Sequence, residues 1–126
     1  MNIKKIVLIE DDKLLRDTET QKLKEAGFEV YPAADGTTGI QLAAQTSPDL
    51  VLLDIILPDI NGYEVLKRLK ADPGLAQTPI VMLSSLEQPS DIQKAMDLGA
   101  ADYIIKTHLT QDELVKKIKN MFHAFK

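Results

Sequence analysis

Short runs of apolar, often β-branched residues alternate along the chain with longer segments in which apolar and polar residues are mixed. Runs of about four to eight such residues are typical of strands that are buried on both faces of a sheet. We therefore predict five strands, at Ile6–Ile9, Phe28–Tyr31, Leu50–Leu53, Ile80–Leu83 and Tyr103–Ile105.

The mixed segments predict five helices, one after each strand, because their apolar residues recur at helical spacing on one face. The first helix is predicted from Lys13 to Ala26, with a thin apolar face in its middle, and the second from Gly36 to Gln45. The predicted core-facing residues are Ile40, Ala43 and Ala44 in the second helix, Val65, Leu66 and Leu69 in the third, Ile92, Ala95 and Met96 in the fourth, and Leu114, Ile118, Met121, Phe122 and Phe125 in the fifth.

Residues suited to helix ends support these boundaries. Gly27 and Gly99 follow the first and fourth helices, where a left-handed C-cap fits. Asp35 is a predicted N-cap of the second helix. Thr110 and Glu113 have the spacing of a capping box at the start of the fifth helix.

The strict alternation of strands and helices predicts an α/β fold. Strands that are buried on both faces and joined by helices form a parallel sheet with right-handed crossovers. Five strands are too few for an eight-stranded barrel, so we expect an open, doubly wound, five-stranded parallel sheet with helices on both faces. Ligands of such sheets bind beyond the carboxyl ends of the strands.

Polar residues stand at four of these carboxyl ends. Glu10, Asp11 and Asp12 follow the first strand, Asp54 the third, Ser84 and Ser85 the fourth, and Lys106 the fifth. Clustered carboxylates attract a hard cation such as Mg²⁺. An aspartate can act as a nucleophile and form an acyl phosphate, while lysine and serine can donate hydrogen bonds to phosphoryl oxygens. The set therefore indicates phosphoryl transfer to a carboxylate.

Each of these residues, taken alone, also has a purely structural explanation. An acidic residue after a strand is often only a helix N-cap, as we expect for Asp12, and for Asp11 or Asp54 alone the two explanations are about equally good. A pair of serines is more often part of a loop, and a lone lysine at a strand end is usually solvated. The hypothesis depends on every residue type standing at the correct strand end.

The composition narrows the functional classes. The chain has 126 residues, of which 44% are hydrophobic and 27% charged, as in one soluble domain. Its net charge of −4 gives no electrostatic basis for direct binding to nucleic acid. The absence of cysteine excludes disulfides, zinc–thiolate sites and cysteine nucleophiles. The apolar run near the N-terminus is too short for a signal peptide or a membrane span, so we expect a cytoplasmic protein without membrane contact.

With these motifs, the chain resembles over its full length the receiver domains of bacterial two-component response regulators. The matching stretches are Ile6–Asp12, Leu50–Gly62, Ile80–Ser85 and Gly99–Lys106. The resemblance implies that residues 1–126 are one receiver domain with no output domain. It also implies the flavodoxin-like strand order 2-1-3-4-5, and a signalling protein rather than an enzyme.

The resemblance implies a role for each acid of the site. Asp54 would accept the phosphoryl group. Glu10 and Asp11 would form the acidic pair that binds Mg²⁺ or Mn²⁺, with Asp11 as a direct ligand and Glu10 acting through water. Asp54 and the backbone carbonyl of Ile56 would be further metal ligands.

The resemblance also implies a route for the signal and a set of partners. Ser84 would move to bond the phosphoryl group, Lys106 would pair with a phosphoryl oxygen, and Tyr103 would rotate inward when Ser84 moves. Without the resemblance, a static, half-buried aromatic is the better explanation of Tyr103. The affected surface would comprise the fourth helix, the fifth strand and the fifth helix. The implied partners are a histidine kinase or phosphotransfer protein, a downstream protein target or output domain, and a second copy of the chain after phosphorylation.

The chain departs from the family at Thr107, where the family usually has a proline that follows the lysine in a cis bond. A cis bond before a non-proline residue costs about 2.5–4 kcal/mol, so the sequence alone leaves open whether the bond from Lys106 to Thr107 is cis or trans and which path the loop after the fifth strand takes. Ile56 and Leu86 place apolar side chains two residues past Asp54 and Ser84. Our hypothesis is that they hinder attacking water and prolong the life of the acyl phosphate.

Two other functions are alternatives. A magnesium-dependent phosphatase or phosphotransferase on a similar sheet would typically carry a second aspartate two residues after the first, where Ile56 stands. A receiver-like interaction module that acts without phosphorylation would not need the intact set of strand-end residues. A nucleotide-binding fold is disfavoured, because no glycine-rich loop follows the first strand.

Overall fold

The computed structural model describes residues 3–124, which form a central parallel sheet covered by helices. The strands are β1 (Lys5–Ile9), β2 (Glu29–Ala33), β3 (Leu50–Leu53), β4 (Ile80–Ser84) and β5 (Asp102–Ile105). The helices are α1 (Lys13–Glu25), α2 (Gly36–Thr46), α3 (Gly62–Ala71), α4 (Pro89–Asp97) and α5 (Gln111–Ala124), with a 3-10 turn at Lys106–His108.

The strands lie in the order β2-β1-β3-β4-β5, and every neighbouring pair is parallel. This confirms the predicted sheet and its order. In the register, Ile9 lies beside Leu53 and Leu53 beside Met82, so that β1, β3 and β4 end at the same edge of the sheet. The residues that follow these strands are thereby brought together.

The helices cover the two faces of the sheet in unequal numbers. One core lies between the sheet and helices α2, α3 and α4, and contains Val7, Ile9 and Leu66. The other lies between the sheet and helices α1 and α5, and contains Leu8, Leu23 and Ile118. Because alternate residues of β1 enter opposite cores, the strand needs the unbroken apolar run seen in the sequence.

The predicted helix ends are confirmed by their hydrogen bonds and backbone angles. The carboxylate of Asp12 accepts a hydrogen bond from Leu15 N at 3.1 Å, and that of Asp35 accepts one from Thr38 N at 2.7 Å. Gly27 and Gly99 have φ of 100° and 101°, the left-handed conformation that ends a helix. Thr110 and Glu113 exchange the two hydrogen bonds of a capping box.

Two predicted core residues are wrong. Ala44 is exposed, and Met96 is 40% exposed. Helix α2 instead packs through Gly36, Gly39 and Ala43. A Cβ atom on Gly39 would lie 2.3 Å from the Cδ1 atom of Ile9. The helix can therefore approach β1 closely at Gly39 because glycine has no side chain. Helix α4 buries Ala95 and leaves the next residue outside. Phe125 lies outside the described residues.

The second strand continues past its predicted end. Pro32 lies inside β2 and pairs with Leu8, although proline cannot donate a hydrogen bond to a neighbouring strand. Because β2 is an edge strand, no strand on its outer side requires that hydrogen bond.

None of the helices within residues 3–124 is long and apolar enough to cross a bilayer.

The thin middle of α1 contains a buried carboxylic acid. Leu15, Glu19 and Leu23 follow one another at four-residue spacing, and Glu19 is only 2% exposed. Its Oε1 atom has no hydrogen-bond partner among residues 3–124, and the side chain borders a cavity of about 40 Å³. Burial, reinforced by the charge of Glu10, raises the pKa of Glu19 to about 7. Glu19, which breaks the apolar pattern of α1, is therefore a buried carboxyl group with a raised pKa.

This acid predicts a pH-dependent stability. The pKa of Glu19 rises from 4.5 in the unfolded chain to about 7 in the folded one. The contribution of this shift to the free energy of unfolding is therefore fully present below pH 4.5 and is lost as the pH rises through about 7. Between pH 4.5 and pH 8, we expect the free energy of unfolding of the parent to fall by about 3 kcal/mol relative to Glu19→Gln. Urea unfolding at each pH measures the difference. The exposed Glu25→Gln on the same helix should show no such trend. A Glu19→Gln difference that stays constant over this range would contradict the prediction.

Candidate functional site

The register of β1 and β3 places two carboxylates side by side. Ile9 and Leu53 are paired, and Asp54 N continues the ladder by donating to Ile9 O at 3.0 Å. Glu10 and Asp54 therefore leave the sheet as neighbours, and they are 1% and 6% exposed. Asp11 is exposed, but one carboxylate oxygen from each of the three residues lies within 4.8 Å of the others.

One ammonium group is shared by the two buried acids. Lys106 follows β5 and forms ion pairs with Glu10 and, at 2.7 Å, with Asp54 Oδ2. Burial lowers the pKa of Lys106, but the hydrogen bonds and charges of Asp54 and Glu10 outweigh burial and raise it overall. Burial also raises the pKa of Glu10, against the effect of Lys106. The charged state of Lys106 is thus favoured by Glu10 and Asp54, and Lys106 in turn favours the charged state of Glu10.

These groups open into a cleft of about 410 Å³ at the carboxyl edge of the sheet. Its wall consists of the carboxylates, the ammonium group and several apolar side chains. Its lining residues are Glu10, Asp11, Asp12, Leu15, Asp54, Ile56, Ser85, Lys106 and Thr107. A group of phosphate size can therefore approach Asp54 from solvent.

Ser84 and Tyr103 lie on the inner side of the β4–α4 loop. Ser84 is fully buried, and its hydroxyl accepts a hydrogen bond from Leu86 N at 3.2 Å. Tyr103 is half-buried, and its hydroxyl donates to Leu86 O at 2.7 Å. Within the part of the chain that the structure describes, neither residue has a hydrogen bond to Asp54. It is Ser85, next in the chain, that lines the cleft.

The loop from β3 to α3 is held close against Asp54. Gly62 N donates to Ile55 O at 2.7 Å, and a Cβ atom on Gly62 would lie 2.2 Å from the carbonyl oxygen of Asp54. This close approach requires glycine. The Asp54 carboxylate itself accepts a hydrogen bond from Ile55 N at 2.7 Å through Oδ1. The side chain of Ile56 is 56% exposed at the rim of the cleft.

Two residues that fix the loops around the cleft carry no signal in the sequence pattern. The carboxylate of Asp59 accepts hydrogen bonds from Gly36 N and Thr37 N, each at 2.9 Å, and from Thr37 Oγ1 at 2.6 Å. These bonds hold the pKa of Asp59 well below its ordinary value. Arg16 donates to the backbone after β1. Asp59 gave no local signal, because its partners are 22 and 23 residues away.

The loop after β5 contains the bond whose isomer the sequence leaves open. No peptide bond within residues 3–124 is cis, so the bond from Lys106 to Thr107 is trans. The chain turns through a short 3-10 segment, Lys106–His108, before α5. Lys106 reaches both acids from this turn.

The donor set suits a hard divalent cation. Carboxylate oxygens within 4.8 Å of one another are the ligands that Mg²⁺ and Mn²⁺ prefer, and the exposed Asp11 leaves room for water molecules in the coordination sphere. No nitrogen or sulfur ligand belongs to the group. The residues present therefore fit the metal that the sequence predicts.

An acid cluster, a lysine and a cleft at the carboxyl edge of a 2-1-3-4-5 sheet are the features of a receiver domain of two-component signalling. The family model of the response regulator receiver domain matches residues 6–119, and the chain belongs to this family. It is 38% identical over 112 residues to the DNA-binding dual master transcriptional regulator RpaA of Synechocystis, a match that covers 89% of the chain and 46% of RpaA. The chain thus spans about half the length of that relative.

Solved structures agree with this assignment. The chemotaxis protein CheY4 of Vibrio cholerae superposes with a TM-score of 0.88 at 26% identity, over 94% of this chain and 98% of CheY4. The Mn²⁺-bound form of the response regulator Rcp1 superposes with a TM-score of 0.82 at 28% identity, over 94% of each chain. The resemblance stated from the sequence is confirmed.

The buried charges predict the effect of removing the lysine. Lys106→Met leaves Glu10 and Asp54 adjacent without a cation, so we expect a loss of about 1–3 kcal/mol in the free energy of unfolding at pH 7 in EDTA. Millimolar Mg²⁺ or a pH near 4 should restore part of it, since either reduces the repulsion. Denaturant unfolding measures the change. Lys117→Met, which removes an exposed lysine 3.9 Å from Asp102, should change stability by less than about 0.5 kcal/mol. Equal losses in both variants would show that Lys106 is not the counter-ion.

Proposed function

We propose that this chain takes a phosphoryl group onto Asp54 from a histidine kinase or phosphotransfer protein. One observation carries the proposal: the Asp54 carboxylate opens into a cleft that it shares with the acidic pair Glu10 and Asp11, and an ammonium lies 2.7 Å from its Oδ2 atom. We further propose that residues 1–126 act as one receiver domain, which reports the event to a downstream protein target or output domain.

The chemistry follows from the placement of these groups. A carboxylate oxygen of Asp54 forms a bond to phosphorus as the bond from phosphorus to the donor breaks, and the donor leaves with the bonding electrons. Ile55 N holds Oδ1, which fixes the orientation of the nucleophile. Lys106 already lies against Oδ2, so it is in place to pair with a phosphoryl oxygen.

Glu10, Asp11, Asp54 and the backbone carbonyl of Ile56 would hold a Mg²⁺ or Mn²⁺ ion. When bound, the cation offsets the charge of the entering phosphoryl group. The clustering of the three carboxylates supports this proposal, as does the Mn²⁺ in Rcp1.

Leu86 gives the signal a physical route. Its backbone N–H is bonded to Ser84 and its carbonyl to Tyr103. A phosphoryl oxygen that attracts the Ser84 hydroxyl would remove the acceptor from Leu86 N and free the β4–α4 loop. Tyr103 is tied to the same residue and would move with it. The surface formed by α4, β5 and α5 would change as a result.

Phosphorylation of Asp54 is tested directly with a small phosphodonor. Incubation with Mg²⁺ and an acyl phosphate should give one acid-stable, base-labile phosphoryl adduct, because the product is itself an acyl phosphate. Intact-mass spectrometry should show the adduct in the parent and none in Asp54→Ala. Asp12→Asn is the matched control, since it changes an acid of the same cleft and keeps the cap of α1. It should form the adduct.

The same experiment separates the alternatives. Multiple turnover of small phosphate esters would favour a phosphatase. A parent protein that forms no adduct would favour a module that acts without phosphorylation. Either result would refute the proposal.

The apolar residues at the cleft predict a slow loss of the phosphoryl group. Ile56 is exposed at the rim, and Leu86 is half-buried in the loop after β4. Ile56→Asn combined with Leu86→Glu should speed hydrolysis on the order of tenfold, because polar side chains there can orient an attacking water. The decay of the adduct after removal of the donor measures the rate. Met96→Asn, which changes an exposed apolar residue on α4, is the control and should keep the parent rate. A double variant that loses phosphate no faster would contradict the hypothesis.

A further inference from the structure

Arg16 is a charged residue of the site region that the proposed chemistry does not use. It lies in α1, and its Nη1 atom donates to Glu10 O at 2.9 Å and to Asp11 O at 3.1 Å. These two carbonyls belong to the residues whose side chains form the acidic pair. Within residues 3–124, Arg16 forms no ion pair with a carboxylate. Its charge is therefore directed to the backbone of the β1–α1 loop.

We propose that Arg16 is a positioning residue for the divalent cation, which acts by fixing the backbone of Glu10 and Asp11. This inference rests on the proposed function, because it assumes that the acidic pair binds the metal.

The loop needs an external support of this kind. β1 ends at Ile9, so the carbonyls of Glu10 and Asp11 lie beyond the sheet. The carboxylate of Glu10 has partners of its own, Lys106 and Asp12 N at 3.0 Å. The carboxylate of Asp11 accepts no hydrogen bond from the residues that the structure describes, so only its backbone fixes where it points. One of the bonds that fix that backbone comes from Arg16.

Arginine suits this task better than a shorter cation. Its hydrogen bonds to carbonyls carry a full charge on the donor and are roughly twice as strong as neutral ones. The rigid guanidinium donates both hydrogens of Nη1 in one plane, whereas lysine has a shorter reach and a rotating donor. Outer-shell partners of this type typically change metal affinity by about 10–100-fold when they are removed.

The sign of the effect distinguishes positioning from simple electrostatics. A positive charge beside a cation site repels the cation, so removal of Arg16 would strengthen Mg²⁺ binding if charge alone mattered. Loss of the backbone contacts would weaken binding instead. Arg16→Lys keeps the charge and loses the reach, whereas Arg16→Met loses both. The two mechanisms therefore make opposite predictions for one variant and different predictions for the other.

Titration calorimetry with MgCl₂ on the unphosphorylated protein tests the proposal. We expect the Kd for Mg²⁺ to rise about tenfold or more in both variants. At saturating Mg²⁺, Arg16→Lys should recover most of the parent rate of adduct formation, because the nucleophile and Lys106 are untouched. Lys13→Met is the control. It removes an exposed cation from the first turn of α1, where Lys13 pairs with Asp17 at 2.6 Å, and should not raise the Kd.

Three results would overturn the inference. An unchanged Kd in Arg16→Lys with a lower Kd in Arg16→Met would assign a purely electrostatic effect. An unchanged Kd in both, with lower thermal stability, would assign a purely structural role. A rise in Arg16→Met alone would show that charge, not reach, holds the loop. If Arg16→Met fails to fold, Arg16→Lys decides.

Failure of the proposed function would look different. In that case the parent itself would bind no Mg²⁺, or Asp11→Asn would leave its affinity unchanged. A parent that binds Mg²⁺ through Asp11, with Arg16 variants of parental affinity, would refute the positioning role and leave the proposed function intact.

Discussion

The ion pairs of Lys106 with Glu10 and Asp54 are the interactions on which the rest of the site depends. The parallel register of β1 and β3 places two buried carboxylates next to each other, and their repulsion would oppose the fold without a nearby cation. Lys106 comes from β5, two strands away from β3, so the charge balance ties the far side of the sheet to its centre. The Asp54 carboxylate is thereby in direct contact with the loop that precedes α5.

The sheet supplies rigidity and the loops supply chemistry. Strands β3 and β4 are buried throughout, and β1 is buried from Ile6 to Ile9, so the carboxyl ends of these strands are fixed in space and so are the residues that follow them. Each loop is then held by a hydrogen bond that involves a side chain. Arg16 holds the loop after β1, Asp59 ties the loop after β3 to α2, and Leu86 joins the loop after β4 to Ser84 and Tyr103. Loops that are anchored in this way can hold functional side chains in a fixed position.

Much of this arrangement could be predicted from the sequence, because unbroken apolar runs mark buried parallel strands and the residues after them must meet. What the pattern could not show is which way a side chain turns at a strand end, so Ser84 and Ser85 could not be assigned to the interior and the cleft. The burial of Glu19 contradicts the pattern outright, since hydrophobic periodicity treats any acid as solvent-facing. The exposure of Ala44 has the opposite cause, because α2 packs through glycines that carry no hydrophobic signal. Contacts between distant loops, such as that of Asp59, leave no trace in local spacing.

Leu86 contributes to the site in two separable ways. Its backbone donates to Ser84 and accepts from Tyr103, and any residue other than proline supplies the same two groups. In our hypothesis, its side chain is one of the two apolar groups that hinder water from attacking the acyl phosphate. Substitutions at this position would therefore alter the lifetime of the acyl phosphate, while the backbone hydrogen bonds to Ser84 and Tyr103 stay the same. The duration of the phosphorylated state would then be set by one side chain, independently of the surface formed by α4, β5 and α5.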